Sequence, residues 1–522
     1  GSDTAEFYQA QSDAVRNDSF NWNTTLNEAM DKTGGNASFV VSAGDQIQTT
    51  KKKSPGKSEM TSEIEYTGYL SPDVLKSLPV ATTVGNHDAD NANYTYHFNT
   101  PNSSDLGSNG VVGGDYYFTY GNTLFMMLNT QDTNAAEHKQ FMEQAISANP
   151  NCTWRVVTLH QDIYGSAEHS NEPEITNLRY TLVPYFEAND VDVVLTGHDH
   201  AYSRTHILEG GHKTVEYTDD EFDAELKKDM DAGENPATRY EAPANISADS
   251  REPADVAYLN YLNAVMDKDA VEDTEKGETV VNPDGILYMT ANSSSGSKYY
   301  DLVPRMQSYI ANRWQEDVPT YSVIDVTDNT FTINTYRTDN DQKIDETFTI
   351  KKGVTEDIKS ASVGKVKNQV YTGKQIQPAL KVTLNGKTLK AGKDYTVTYT
   401  DNKNTGLAKA SINGIGKYTG TQTVTFKIVP KKAVLKTVKA EKSGTATVTI
   451  GKAGGKVSGY VIQVSTDPSF KKVTTYRTTK TTYTLKNLSK GKTYYVRVKA
   501  FTKVSDKNVY GAASKTIKVK AK

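Results

Sequence analysis

Apolar runs alternate with helical patterns along the first two hundred residues. Four short runs have the length of buried strands, and between them apolar residues recur at helical spacing. The runs occupy residues 38–41, 79–84, 154–159 and 191–195. The helical patterns occupy residues 22–30, 136–147 and 175–186. Strands that alternate with helices predict an α/β domain, in which functional groups gather beyond the carboxyl ends of the strands.

Each of the four runs is followed by side chains that bind metals or move protons. In chain order these endings are Gly44-Asp45, Gly85-Asn86-His87-Asp88, His160 and Gly197-His198-Asp199-His200. A single ending of this kind, including the two histidines at the last turn, is more often structural than functional. Four in succession are hard to explain as accidents of packing. We therefore predict one site at this edge of the sheet, with imidazoles that suit zinc, iron, copper or nickel.

The alternation stops after residue 212. Residues 213–283 form an acidic and polar insertion, which we interpret either as a lid or rim over the site or as a solvated helical excursion. β patterns return at 285–289 and continue to residue 350, where the first domain ends. From there to residue 522, alternating runs are separated by Gly, Asn and Asp turns. This pattern predicts two small all-β domains of the β-sandwich type.

The formal net charge of −4 conceals two oppositely charged regions. Residues 1–350 hold 23 Lys and Arg against 56 Asp and Glu, whereas residues 351–522 hold 36 against 7. Such asymmetry predicts different partners for the two regions. The basic region suits nucleic acid or an anionic surface polymer, and a merely solvated lysine-rich surface is equally open. Nucleic acid is not expected, because the region lacks the interleaved exposed aromatic residues of single-strand binders.

Other features of the chain bear on its location and on membrane spans, but they indicate less. The single cysteine, Cys152, excludes an intrachain disulfide, which fits a cytoplasmic protein or a secreted bacterial protein that uses few disulfides. No apolar run is long enough to span a bilayer. The chain begins Gly1-Ser2 without a visible signal peptide, so we expect a processed form or a fragment.

The four ordered endings resemble those of the calcineurin-like metallophosphoesterase superfamily. The stretch 194–205, together with 287–290 and 295–298, is similar to the purple acid phosphatase branch. The resemblance covers residues 1–351. It implies a four-layer αββα sandwich with a dinuclear metal centre at one edge.

The resemblance also implies a ligand set. Asp45 would bridge two metal ions, Asn86, His160 and His198 would bind the second ion, and His200 would bind the first. The family supplies a further Asp from an early strand to the first ion. No apolar strand precedes residue 22, so we expect that strand upstream of the present chain, with its aspartate.

Metal identity stays open, because Gln48 stands where purple acid phosphatases carry a tyrosine. We expect two divalent ions, or iron with a divalent partner. His87 would face the phosphoryl group as the catalytic residue, Asp88 would orient it, and His169 is a candidate substrate contact.

Residues 371–420 resemble a β repeat of secreted and surface proteins of Gram-positive gut bacteria. The last segment is similar to a fibronectin type III domain, because Leu488, Gly491 and Tyr494 match its tyrosine-corner pattern. We therefore predict domains at 1–351, 354–430 and 431–522. These resemblances imply an extracellular location, secreted or associated with the cell wall, and an anionic cell-wall polymer as a candidate partner.

The leading hypothesis is a secreted phosphomonoesterase in which a metal-bound hydroxide attacks a phosphate ester. One alternative is a phosphodiesterase or nucleotidase that uses the same site. Another is a surface-binding protein whose phosphoesterase domain is inactive.

Overall fold

The computed structural model describes residues 2–49, 58–211, 215–232, 245–272, 279–296 and 298–522. The chain divides into two compact units, Gly1–Lys352 and Gly353–Lys522. Within the described residues, every helix is too short or too polar to cross a membrane.

The first unit is built from helices and two main sheets. Its helices are α1 (Ser2–Lys32), α2 (Ser58–Tyr69), α3 (Asn93–His97), α4 (Ala135–Ala148), α5 (Pro173–Ala188), α6 (Asp219–Ala232) and α7 (Pro253–Ala264). Its strands are β1 (Val40–Ser42), β2 (Val80–Thr82), β3 (Tyr116–Tyr120), β4 (Thr123–Met127), β5 (Trp154–Thr158), β6 (Val193–Thr196), β7 (Tyr202–Thr205), β8 (Thr279–Val281), β9 (Leu287–Thr290), β10 (Ile310–Trp314), β11 (Thr320–Val326), β12 (Thr330–Arg337) and β13 (Phe348–Lys351).

The central sheet has seven strands in the order β10-β7-β9-β6-β5-β4-β3. Helices α4 and α5 cover one face, where Phe141, Leu182 and Phe186 join the core. The other face packs through Trp154 and Val193 onto the four-stranded sheet β11-β12-β13-β8. On the second sheet, the Lys32 ammonium of α1 lies 4.4 Å from the centre of the Tyr336 ring. The α/β fold class predicted from the sequence is confirmed.

The predicted elements fall close to the observed ones. The four apolar runs coincide with β1, β2, β5 and β6, and α1 ends at Lys32, just before Gly34. Strands β1 and β2 pair in parallel with each other. The β3–β4 hairpin and β7 were not anticipated, and β7 is part of the stretch that was interpreted only as a motif.

The acidic insertion has a small core of its own. Helices α6 and α7 bury Phe222, Leu226, Tyr258 and Leu262 against one another. The Tyr261 hydroxyl lies 2.6 Å from the Thr176 hydroxyl of α5. The insertion thus contains helices, as the interpretation of a helical excursion requires, but α6 and α7 pack on a core of their own. A lid or rim over the site stays a prediction. Residues 212–214, 233–244 and 273–278 lie outside the described residues.

The second unit consists almost entirely of strands. They are β14 (Glu356–Asp357), β15 (Ser362–Val363), β16 (Gln369–Val370), β17 (Val382–Leu384), β18 (Lys387–Thr388), β19 (Tyr395–Thr400), β20 (Gly406–Gly414), β21 (Tyr418–Thr419), β22 (Thr421–Val429), β23 (Val434–Lys439), β24 (Ala446–Gly451), β25 (Gly459–Ser465), β26 (Thr474–Thr478), β27 (Thr482–Leu485), β28 (Thr493–Val504), β29 (Lys507–Tyr510) and β30 (Ile517–Lys520). Residues 431–522 form a sandwich of β23-β24-β27 and a five-stranded sheet around β28. The Ser489 N–H donates to the Tyr494 hydroxyl at 2.9 Å, as in a tyrosine corner.

A buried ion pair joins the central sheet to the second sheet. The Arg204 Nε–H donates to Asp345 Oδ2 at 2.6 Å, and the Tyr202 hydroxyl donates to the same oxygen at 2.7 Å. Burial raises the pKa of Asp345, but the hydrogen bond and charge of Arg204 outweigh it and hold the pKa below its usual range. Both Tyr202 and Arg204 therefore serve the packing of the first unit.

We expect Asp345→Ala to lower the free energy of unfolding of the first unit by roughly 3–5 kcal/mol, because it leaves a buried guanidinium unpaired. Chemical denaturation of the full chain measures this loss. Glu316→Ala, which removes an exposed partner of Arg337, is the control and should cost at most about 1 kcal/mol. Since the folded pKa of Asp345 is depressed, its contribution is present above the unfolded pKa and is lost as pH falls below about 4. Equal losses in the two variants would contradict the assignment.

Candidate metal centre

Four strand ends bring four of the predicted ligands to one point. Asp45 follows β1, Asn86 follows β2, His160 follows β5 and His198 follows β6. The Nε2 atom of His160 lies 3.2 Å from Asp45 Oδ2, 3.0 Å from Asn86 Oδ1 and 3.1 Å from His198 Nδ1. Asp45, His160 and His198 form a group whose ligand atoms all lie within 4.8 Å of one another. Strands β5 and β6 belong to the central sheet, whereas β1 and β2 form a separate two-stranded sheet, so the residues that the sequence motifs single out come together from two sheets.

The converging atoms have too few hydrogens to satisfy one another. His160 Nδ1 lies 2.7 Å from the Ala43 carbonyl oxygen, so it must carry a hydrogen and donate it. Its Nε2 atom then offers a lone pair or, on a charged ring, one further hydrogen. That hydrogen can serve only part of a set made of a carboxylate, an amide oxygen and a second imidazole. A cation satisfies the whole set, so these residues fit a bound metal.

The charges of the site also suit a metal. Burial, together with the nearby charge of His160, lowers the pKa of His198 to about 3, so His198 is neutral and can donate a lone pair. Burial raises the pKa of Asp45, but His160 and His87 outweigh this effect and hold the pKa well below its usual range. His160 shows the converse, because Asp45 raises its pKa against the lowering effect of burial.

The backbone at this edge is strained. Asp45, His198 and His200 have φ angles of 54°, 71° and 46°, in the left-handed region that side chains other than glycine rarely adopt. Such conformations cost on the order of 1–3 kcal/mol each and cluster at functional sites. Two glycines make the turns possible. A Cβ at Gly44 would lie 2.5 Å from His160 Nδ1, and one at Gly85 would lie 2.0 Å from Asp45 Oδ1.

Backbone carbonyls orient three of the imidazoles. The Nδ1 atoms of His87 and His200 lie 2.6 Å from Gln48 O and 2.9 Å from Lys298 O, and His160 uses Ala43 O in the same way. A nitrogen that donates to a carbonyl leaves Nε2 as the ligand or proton-carrying atom. His198 is reversed, since its Nδ1 atom is the one that points toward His160.

Asp88 does not orient His87, which corrects the expectation from the sequence. The Asp88 carboxylate is buried and accepts from the Tyr66 hydroxyl at 2.8 Å and from the Gly85 N–H at 3.0 Å. Burial, with the charge of Asp45, raises the pKa of Asp88 to about 7. Asp88 therefore supports the turn at residues 85–88, and the carbonyl of Gln48 orients the His87 ring. His87 Nε2 lies 4.0 Å from Asp45 Oδ2.

His200 and His169 stand beside the four-ligand group. His200 is not one of the three residues whose ligand atoms cluster within 4.8 Å. Its ring centre lies 5.0 Å from that of Tyr300, whose ring also packs edge-on against His169 at 4.7 Å. The His169 ring lies 5.2 Å from that of His198. Tyr300 was missed in the sequence because it follows no strand ending and belongs to no recognised motif.

The loop that carries His169 is held from two sides. Asp199 accepts from the His169 N–H at 3.0 Å and from the Ser170 hydroxyl at 2.6 Å, so its carboxylate points away from the four ligands. Glu172 Oε1 lies 2.6 Å from His169 Nδ1. The early aspartate of the family has no counterpart among the described side chains near the site, and it stays a prediction.

We expect Glu172→Ala to weaken substrate binding by roughly tenfold, since a positioning partner of a site residue typically contributes 10- to 100-fold. The change should appear in KM, with metal content unchanged, because Glu172 contacts His169 and none of the four converging ligands. Glu174→Ala, in the first turn of α5, is the control. Loss of metal from the Glu172 variant would contradict a role confined to His169.

Comparisons with known proteins agree with the motifs. Residues 17–202 match the family model of the calcineurin-like phosphoesterases, and residues 435–516 match that of the fibronectin type III domain. Two uncharacterized proteins, from two strains of Mycobacterium tuberculosis, are 26% identical over 156 residues, which is 25% of this chain and 29% of each relative. The chain thus spans less than a third of the length of these curated relatives.

Among solved structures, a purple acid phosphatase from yellow lupin (Lupinus luteus) seeds is similar with 13% identity and a TM-score of 0.41. That match covers 63% of this chain and 49% of the lupin chain. A fibronectin type III domain of a human protein is similar with 21% identity and a TM-score of 0.14, over 18% of this chain and 82% of that domain. Both TM-scores lie below 0.5, so neither likeness supports a function.

Proposed function

We propose that the calcineurin-like metallophosphoesterase domain of this chain hydrolyses phosphate monoesters with a dinuclear metal centre. The observation that carries the proposal is the convergence of Asp45, Asn86 and His198 on the Nε2 atom of His160. These ligand atoms carry too few hydrogens to form hydrogen bonds with all of one another. They follow four strand ends in a region that matches the family of calcineurin-like phosphoesterases.

The residues divide between the two ions as follows. Asp45 would hold both, Asn86, His160 and His198 would hold the second, and His200 would hold the first through Nε2. Bound metal ions supply an attacking group by lowering the pKa of water and clamp the attacking and phosphoryl oxygens. Divalent ions, or iron with a divalent partner, both suit this mixture of imidazole and oxygen ligands.

His87 would act on the substrate rather than on the metal. Its Nδ1–H donates to the Gln48 carbonyl, which leaves Nε2, next to Asp45, as the atom that would carry a proton toward a phosphoryl group. From there it would stabilise the transition state or protonate the leaving group. His169, fixed by Glu172, would contact the phosphoryl group from the neighbouring loop.

The setting we propose is extracellular, either secreted or associated with the cell wall. The fibronectin type III domain supports it. An anionic cell-wall polymer is the proposed partner of the basic second unit, which holds 34 Lys and Arg against 7 Asp and Glu between residues 353 and 522.

One experiment tests the proposal. The chain, and a form extended upstream, are loaded with zinc, manganese or iron, and metal per chain and hydrolysis of p-nitrophenyl phosphate and bis(p-nitrophenyl) phosphate are measured. We expect up to two metals per chain and faster hydrolysis of the monoester. Faster hydrolysis of the diester would favour the phosphodiesterase alternative. Absence of both metal and hydrolysis would favour an inactive surface-binding protein.

A further inference from the structure

The five-stranded sheet of residues 431–522 has one face in the core and one face in solvent. Ile462, Val496, Val498 and Val519 point into the core. Because side chains alternate along a strand, the residues between them lie on the outer side. That outer side carries six cations: Arg477, Arg497, Lys499, Lys503, Lys518 and Lys520. We call it the basic face, and its five strands contain no Asp or Glu.

The strand register places these cations in neighbouring rows. Val461 of β25 pairs with Arg477 of β26 on one side and with Lys499 of β28 on the other. On the far side of β28, Lys518 of β30 pairs with Tyr495. Neighbouring strands are about 4.8 Å apart, and alternate residues of one strand are about 6.7 Å apart. The charges therefore form a broad grid that several groups of one extended polymer could contact together.

The opposite sheet of the same sandwich gives an internal comparison. On the outer side of β23, β24 and β27 the residues are Thr437, Lys439, Thr447, Thr449, Thr482 and Thr484. Lys436 is also exposed on β23, at the bulge, so this sheet presents two cations where the basic face has six. A lysine-rich surface that served only solubility would have no reason to segregate its charge in this way. The asymmetry favours a polyanionic partner for the basic face, because clustered like charges repel one another until a counter-charge is bound.

The aromatic residues of the basic face limit the kind of polyanion. The rings of Phe501 and Tyr510 pack against each other with centres 5.9 Å apart and planes at 53°. Tyr510 is 40% exposed, whereas Tyr495 and Phe501 are half-buried. Single-stranded nucleic acids need a series of exposed flat rings on which successive bases stack. The basic face offers cations in quantity but not such a series.

We propose that the basic face binds a linear, phosphodiester-linked polymer that carries no bases, of the kind found among anionic cell-wall polymers. The choice of phosphate over carboxylate rests on the proposed phosphoesterase function, since such a polymer would bring phosphate esters to the same chain. The positions of the cations do not depend on that function.

The test measures binding of the full chain to poly(glycerol phosphate) as a function of salt. Lys499→Gln, Lys503→Gln and Lys518→Gln are combined in one variant. Lys436→Gln, Lys439→Gln and Lys442→Gln are combined in a control with the same net charge but an intact basic face. At 50 mM salt we expect at least tenfold weaker binding by the first variant and less than about twofold by the control. The slope of log K against log salt should fall by about 2 in the first variant only, at roughly 0.7 for each lost phosphate contact.

Several outcomes would overturn the proposal. Equal weakening in both variants would mean that net charge, not the face, binds the polymer. Tighter binding of poly(dT) would assign the face to nucleic acid, and equal binding of hyaluronate would remove the preference for phosphate. An unchanged thermal unfolding midpoint shows that each variant is folded. The Asp45→Asn variant should bind the polymer as tightly as the unaltered chain, because Asp45 does not belong to the basic face. If the chain proves to have no phosphoesterase activity, the measured binding of the polymer to the basic face therefore still stands.

Discussion

Asp45→Asn should remove most of the bound metal and lower phosphate ester hydrolysis by about a thousandfold or more. A loss of roughly 4 kcal/mol of transition-state stabilisation gives that factor, and metal centres supply several kcal/mol of charge stabilisation. Asp45 contributes the one carboxylate of the four converging ligands, and its depressed pKa shows how strongly its surroundings favour the negative charge. Metal per chain, measured by elemental analysis, and initial rates on p-nitrophenyl phosphate test the prediction together.

Asparagine is the sharper replacement at this position. It tolerates the left-handed backbone that Asp45 adopts at φ 54°, and its amide oxygen can still accept the His87 N–H that donates to Asp45 at 2.9 Å. The variant therefore removes charge while the turn is kept. Asp325→Asn, on an exposed position of β11, is the control for the loss of one carboxylate. Unchanged metal content in Asp45→Asn would remove Asp45 from the ligand set and, with it, the bridging role.

The sequence was sufficient to locate most of this site, and the reason is topological. The carboxyl ends of parallel strands lie at one edge of a sheet, which places the ending of β1 next to that of β2 and the ending of β5 next to that of β6. The meeting of these two pairs, which belong to different sheets, does not follow from the strand pattern and is shown by the structure. The distances around His160 Nε2 follow from that arrangement. The same logic explains why the α/β fold class was predictable, since each strand is a short apolar run between helical patterns.

Sequence patterns failed where a contact depends on the path of a loop. Nothing local to residues 85–88 indicates that the Asp88 side chain turns toward Tyr66, or that the carbonyl of Gln48 reaches the His87 ring. Tyr300 reaches His169 and His200 from a loop 100 residues along the chain from His200, just after the stretch 295–298. The core of the insertion was missed for a related reason, since its apolar residues are spread across two helices within an acidic composition.

His87→Ala should lower kcat by 10²- to 10⁴-fold while metal content changes little. General acid–base catalysis contributes a factor of this size, and His87 is placed for it with its Nδ1–H bound to a carbonyl and its Nε2 atom 4.0 Å from Asp45 Oδ2. His87 does not belong to the group of closely spaced candidate ligands, so its loss should leave metal binding intact. Metal per chain, kcat and KM are measured on the same samples.

The matched control is His97→Ala, ten residues further along, where the imidazole binds the exposed Glu63 at 2.8 Å and lies outside the site. Its kcat should stay within about twofold of the unaltered chain, because exposed ion pairs of this kind contribute little. Substrates with a good leaving group need less help from an acid, so the defect of His87→Ala should shrink on p-nitrophenyl phosphate relative to an alkyl phosphate. An equal defect on both esters would assign His87 to charge stabilisation, and parallel loss of metal and kcat would make it a ligand.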